Sequence, residues 1–397
     1  MTDPARGNHP GASPLSFYRV MSARLSLFRA DFRSAAEEAK WAAILSNSSS
    51  ITALAAAVEA LARSLSGDVD EPYSELLETP APERFRFGGL TQIAAVIQTF
   101  SQGRQALQTL DRDGVERALA AATPDMAVVA GVWAVRVALA AFHAAIWGDS
   151  SKGLTRLFAE LADEPTGAHE QDEPMGELVL GRARELLLSK IGAFGAAAQC
   201  ADSISDPFRV IPRARSRLWA GQIGAAVHII EKALPDPNLL HPERIQLLVM
   251  CGAAMKMEGD ISADVQARTI SAFKDLLRAR NYLAVATLPH QACDALFELC
   301  AGLAEDPEIG ASFAVLRERL GSEPSNSSSA GTLIRLSDRE TLLLPLLASE
   351  ASVPAIAQQL HVSVHTVRKQ VATLRAKFQA ATRAELVRKA GIYGAIK

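Results

Sequence analysis

The sequence contains none of the motifs that build common catalytic or metal centres. Its four cysteines, Cys200, Cys251, Cys293 and Cys300, have no CxxC spacing, so a thiolate metal site is excluded. Its eight histidines do not fall at ligand spacing from carboxylates. There is no GxxxxGK[ST] loop; the stretch GDSSKG at 148–153 has a lysine but neither the phosphate-loop spacing nor a preceding strand. HExxH, GxSxG and dinucleotide-binding fingerprints are also missing. The expectation is therefore a protein that is not an enzyme, with no catalytic residues, no metal and no cofactor.

Other absences bear on fold and location. Runs of alternating β-branched residues are scarce while alanine is frequent, which predicts an all-α chain. No secretory signal opens the chain. Its first residues, MTDPARGNHPGASP, are polar and rich in Pro and Gly, and residues 1–16 are read as a disordered tail. The most apolar window, Ala127–Trp147, is long enough to raise the question of a membrane span, but Arg136 stands at its centre and His143 near its end. It is read as one buried helix of a stack, with Arg136 paired or at an edge, and no membrane contact is expected. Cys293 and Cys300, seven apart on one helical face, are read with the other two as buried thiols of a reducing cytoplasm.

What is present is a long series of helical phrases. Hydrophobic residues make up 49% of 397 residues, so most of the chain is expected to fold. From Phe17 onward, segments such as 27–43, 186–201 and 216–234 repeat one pattern: a helix, a tight turn with a small residue, and a second helix opening on Ala or an aromatic. Small or turn residues at Ala30, Gly67, Gly114, Gly148, Gly192, Gly221 and Gly259 mark the copies at intervals typical of helix–turn–helix repeats. The pattern resembles degenerate tetratricopeptide repeats, none of them complete, and predicts a helical superhelix over 17–320. Such a stack leaves a concave surface for a protein, a peptide or a small-molecule effector. Trp133, Trp147 and Trp219 lie on apolar faces and are read as core. Pro- or charge-rich breaks fall at 78–83, 164–175 and 235–242, and GSEPSNSSSA begins a Ser-rich linker over 321–332.

Residues 333–397 read differently. Four short helices follow in close succession. Ser337 and Glu340 form a capping box for the first, whose stripe is Leu343, Leu344 and Leu347, with Pro345 expected to kink its last turn. Ser352 caps the second, with Pro354 in its first turn and Ile356, Ala357 and Leu360 facing inward. Ser363 caps the third, over about 364–378. There Val367, Val371, Leu374 and Phe378 form one face, and His365, Thr366, Arg368, Lys369, Gln370, Thr373, Arg375 and Lys377 occupy the others. Thr382 and Glu385 form a second capping box for the fourth helix. A helix held by one apolar stripe and otherwise rich in cations and amides suits the DNA major groove. Charge agrees: residues 331–397 have ten Lys and Arg against four Asp and Glu, a net of +6, whereas the whole chain is −3. Positive charge gathered at one end is the footprint of a phosphate-binding module.

This last stretch resembles the LuxR-type helix-turn-helix domain of bacterial transcription regulators. The likeness rests on Leu336-Ser337-x-Arg339-Glu340, Leu343-Leu344, Ile356-Ala357-x-x-Leu360, Ser363-x-x-Thr366-Val367-Arg368, Lys377-Phe378, and Arg383 with Leu386. It covers about one-sixth of the chain. The chain departs from the family pattern at Pro345, Glu350, Ala355, Arg368 and Gln370, where Arg368 keeps the charge of the usual lysine. The resemblance implies that Val364 to Lys369 face double-stranded DNA and that the fourth helix pairs two protomers on a two-fold-symmetric site, hence a homodimer. The array and reader together are similar to the later part of the maltose-regulator class, without its ATPase domain.

The expected function is a sequence-specific DNA-binding transcription regulator in the cytoplasm, sensing a protein partner or effector through its array. Expected DNA contacts are Ser363, Val364, His365, Thr366, Arg368, Lys369, Arg375 and Lys377: phosphates for Arg368, Lys369, Arg375 and Lys377, base edges for Val364, His365, Thr366 and Lys369. The alternative is a scaffold or adaptor whose terminal domain no longer binds DNA, suggested by Pro345, Glu350 and Ala355.

Overall fold

The computed structural model describes residues 13–67, 89–162, 174–206, 208–259, 261–321, 338–349, 351–360, 362–377, 380 and 382–392. All regular structure among these residues is helical. The body contains α1 (Pro14–Phe28), α2 (Phe32–Ile44), α3 (Ser49–Ser66), α4 (Leu90–Gln108), α5 (Arg112–Ala121), α6 (Pro124–Ala130), α7 (Trp133–Trp147), α8 (Ser150–Ala162) and α9 (Pro174–Lys190). It continues through α10 (Phe194–Ser203), α11 (Val210–Trp219), α12 (Ile223–Ala233), α13 (His241–Glu258), α14 (Ala263–Arg278), α15 (Leu283–Ala286), α16 (His290–Leu299), a 3-10 turn (Ala301–Glu305) and α17 (Gly310–Gly321). Four further helices form the carboxy-terminal domain: α18 (Asp338–Ala348), α19 (Val353–Gln359), α20 (Val364–Lys377) and α21 (Arg383–Ile392).

Most body helices pack on their neighbours in the chain, with α9 also packed on α7 and α16 on α13, so the body is largely an array of helix pairs. The join within a pair is a repeated backbone device. At Ala30, Leu110, Gly131, Gly192, Gly221 and Arg280 the chain turns left-handed. In each case that residue's N–H bonds three residues back and the next residue's N–H bonds five back, as in Ala30→Leu27 and Asp31→Ser26, or Leu110→Leu107 and Asp111→Ala106. This Schellman pattern satisfies the orphan carbonyls of the first helix. At all of these but Arg280 the following residue is the N-cap of the second helix. Asp31 accepts from the Ser34 N–H at 3.1 Å, and Asp111 from that of Gly114 at 3.1 Å.

One expected turn moves, and three others fall at helix ends as expected. Gly114 is inside α5, where an added Cβ would meet Ala106 Cβ at 2.7 Å; it permits close helix packing, and the turn itself is at Leu110. Gly148 caps α7 in an extended conformation, while Gly67 and Gly259 end α3 and α13 in the left-handed one. The 127–147 window is not one helix: Gly131 and Val132 break it into α6 and α7. Arg136 is buried and its guanidinium donates to Glu160 at 3.0 Å. No described helix is long and apolar enough to cross a membrane. Helix α1 already begins at Pro14, inside the stretch read as a tail; most of the 78–83 and 164–175 breaks and the Ser-rich linker lie outside the described residues.

Trp133 is fully buried; Trp147 and Trp219 are half-buried, and the Trp219 indole donates to the Thr287 carbonyl at 3.0 Å. All four cysteines are buried free thiols. Burial pushes Cys200 up to about 11 and Cys300 to about 12, away from reactive thiolates. The array also folds back on itself: α1 touches α9, α15 touches α4, and Arg319 of α17 donates to the Thr109 carbonyl. The Phe32 and Phe208 rings meet at 5.8 Å.

Candidate nucleic-acid interface

The carboxy-terminal helices have a hydrophobic core of their own. Leu343, Leu344 and Leu347 from α18, Ile356 and Ala357 from α19, Val367 and Leu374 from α20, and Leu386 and Ala390 from α21 are all buried together. Leu360 and Val371 pack partly buried against them, as their spacing predicts; Phe378 lies outside the described residues. Helix α18 runs through Pro345 to Ala348, with the proline exposed.

Cap chemistry fixes where each helix starts. The Ser352 hydroxyl accepts from the Ala355 N–H at 3.4 Å, Ser363 from that of Thr366 at 3.0 Å, and Thr382 from that of Glu385 at 3.1 Å. Ser337 and the Glu340 side chain, the first capping box, lie outside the described residues. A contact not foreseen from the sequence closes the domain: Arg383 Nε and its guanidinium donate to the Leu347 carbonyl at 3.2 and 2.8 Å. A cation on the orphan carbonyls of α18 ties the last helix to the end of the first. The only sequence signal for this was the position of Arg383 in the family pattern.

Helix α20 then presents its polar faces. Ser363, His365, Arg368, Lys369 and Arg375 are exposed, and Val364, Thr366, Gln370 and Lys377 are half-buried. The structure thus brings all eight expected contact residues onto one helix and its cap, in unequal roles. Val364 packs partly on the domain core. The Thr366 hydroxyl is 2.8 Å from that of Ser363 and so belongs to the cap. Thr373 donates to the Lys369 carbonyl of its own helix at 3.0 Å. Arg375 Nε donates to the Ala380 carbonyl at 3.3 Å, bracing the turn after α20. Arg368 and Lys369 lie one turn from the capped helix start, where backbone N–H groups and the helix dipole favour phosphate.

No group of three or more His, Cys, Asp or Glu side chains among the described residues could hold a metal ion. Compared with known families, residues 335–390 match the one described as "GerE: Bacterial regulatory proteins, luxR family". No curated protein and no solved structure matches the chain. The rest of the chain is an all-helical array of repeated helix-pair contacts without a confirmed tetratricopeptide signature. Residues 335–390 are a LuxR/GerE-type helix-turn-helix domain, a non-catalytic regulatory module whose presence supports a DNA-binding regulatory role.

Proposed function

We infer that this chain is a sequence-specific transcription regulator that works in the cytoplasm as a homodimer on a two-fold-symmetric operator. The observation that carries the reading is α20 itself: exposed Arg368 and Lys369 beside a side-chain-capped start, in a domain of the luxR family. Arg368, Lys369, Arg375 and Lys377 contact phosphates and set affinity; Val364, His365, Thr366 and Lys369 meet base edges and set sequence.

The tetratricopeptide-like array is the sensor. Two adjoining cavities lie among its helices, the larger about 1070 Å³ and lined by residues of α2, α3, α13 and α14. Lined cavities favour a small-molecule effector over a peptide laid along an open groove. The test is a titration of fluorescent duplexes, random and selected, at several salt concentrations. Salt-dependent binding to both, tighter for selected sequence, is expected. Absence of binding even at low ionic strength would favour an adaptor with a degenerate reader.

A further inference from the structure

We propose that the smaller cavity of the array is a binding site for a small anion bearing a carboxylate or phosphate group, held by Arg104 and Arg182. The proposal rests on the sensor reading of the array and names the chemistry of its effector.

Three arginines line this cavity. Arg215 is almost fully buried and compensated: its Nε donates to Glu185 at 2.9 Å, and Glu185 also accepts from Ser189 at 2.8 Å. Arg182 donates to Glu243 at 2.5 Å and to the Phe208 carbonyl at 3.2 Å, but its Nε is buried without a partner. Arg104 has a ring beneath it but no carboxylate among the described residues. Its guanidinium stands 5.8 Å from the centroid of the Phe142 ring, its Nε is buried and unpaired, and no described residue gives it a hydrogen bond or ion pair. Three cations therefore face two carboxylates, and one positive charge is left over in the cavity wall.

Arg104 is half-buried, with its Nε shut away from water, and a cation without a carboxylate partner in a partly desolvated wall is unfavourable. Burial and the nearby Arg182 pull the Arg104 guanidinium down to about 10, so it remains charged at neutral pH. A bound carboxylate or phosphate would supply the missing negative charge and take paired N–H donors from a planar guanidinium. Gln246 and Asn281 also line the cavity, half-exposed and with side-chain amides that make no hydrogen bond among the described residues. They provide neutral donors for the rest of the ligand.

Size limits the ligand. The cavity is about 90 Å³, smaller than the roughly 150 Å³ cavity that admits a benzene ring. It takes one anionic head group. Ser66, Gly67, Pro242, Gln246 and Asn281 also line the larger cavity, which gives a longer ligand room to extend.

The experiment is thermal unfolding of the full chain with inorganic phosphate or succinate, against chloride at equal ionic strength, without DNA. For the parent, the midpoint should rise with the logarithm of probe concentration for at least one probe. Arg104→Met should unfold in chloride at the same or a higher temperature, because it removes an unpaired charge, and should respond at least tenfold more weakly to that probe. Arg104→Lys should keep a reduced response. Phosphate and succinate also stabilise proteins by exclusion from the surface, so the difference between parent and Arg104→Met is the readout. Equal responses in parent and variant overturn the proposal, as does a parent that neither probe stabilises. A clear loss of stability for Arg104→Met in chloride overturns it too, by giving Arg104 a structural role. Failure here leaves duplex binding untouched, and failure of duplex binding leaves this site standing.

Discussion

Replacing Arg368 with glutamine tests the reading of α20 most directly. Arg368 is exposed and lies away from the domain core, so its loss should leave the fold intact. If Arg368, Lys369, Arg375 and Lys377 each neutralise one phosphate, log Kobs should fall with log salt at a slope of about −3.6 per protomer. Raising salt from about 50 to about 200 mM would then weaken binding about 150-fold per protomer. Arg368→Gln should reduce the slope by about 0.9 per protomer and the loss over the same interval to about 40-fold. Arg368→Lys, which keeps the charge, should retain the parent slope. Fluorescence anisotropy with a labelled duplex at four salt concentrations reads all three proteins. An unchanged slope and affinity for Arg368→Gln would refute the phosphate role. So would weakening confined to one sequence with random duplex unaffected, since a phosphate contact is blind to sequence.

Other substitutions test the supports of the site and of the array. Ser363→Ala removes the cap of α20 and should destabilise the carboxy-terminal domain by about 1 kcal/mol in calorimetry; Ser363→Asp should restore the cap while weakening duplex binding by placing an anion beside phosphate. Gly252→Ala would place a Cβ 2.1 Å from Thr269 Oγ1 and should lower urea stability by about 1–3 kcal/mol. Gly224→Ala, where a Cβ meets nothing within 4 Å, should instead be neutral or slightly stabilising. The Lys274 ammonium, 3.0 Å away, and then the Glu308 and Ile309 N–H groups hold the Asp306 carboxyl below its ordinary range. A depressed carboxylate adds stability that is complete above its unfolded pKa of about 3.9 and is lost as pH falls toward the folded value. Urea unfolding between about pH 2 and pH 6 should therefore show an acid-side decline that Asp306→Asn flattens.

Much of the carboxy-terminal domain was readable because its helices are short and separately capped. Ser352, Ser363 and Thr382 each announce a start, and Val367 and Leu374 each fall on the buried side. What stayed hidden there depends on contacts between helices, as when Arg383 reaches Leu347. The array was readable as paired helices, and Ala30, Gly192 and Gly221 were readable as joints, but Leu110, Gly131 and Arg280 were not. The left-handed residue can be glycine, yet Ala30, Leu110 and Arg280 take the same conformation, so counting small residues misplaced the joint at Leu110 by four positions. The single-helix reading of 127–147 failed for a related reason: hydropathy does not register that Gly131 reverses the chain. The arginine cluster was invisible because Arg104, Arg182 and Arg215 come from three helices far apart in sequence.

The hydrogen bond from Arg319 to Thr109 and the contact of the first helix with the ninth give the array a property that a simple row of repeats lacks. In a row, an end unit can fray without disturbing the middle, because energy is shared only between neighbours. Here, loss of either end removes contacts from the centre. Amide exchange should therefore slow in concert along α1, α4, α9 and α17, with one opening rate instead of a gradient from tip to tip. Effector occupancy at any one place would be felt by the entire body at once.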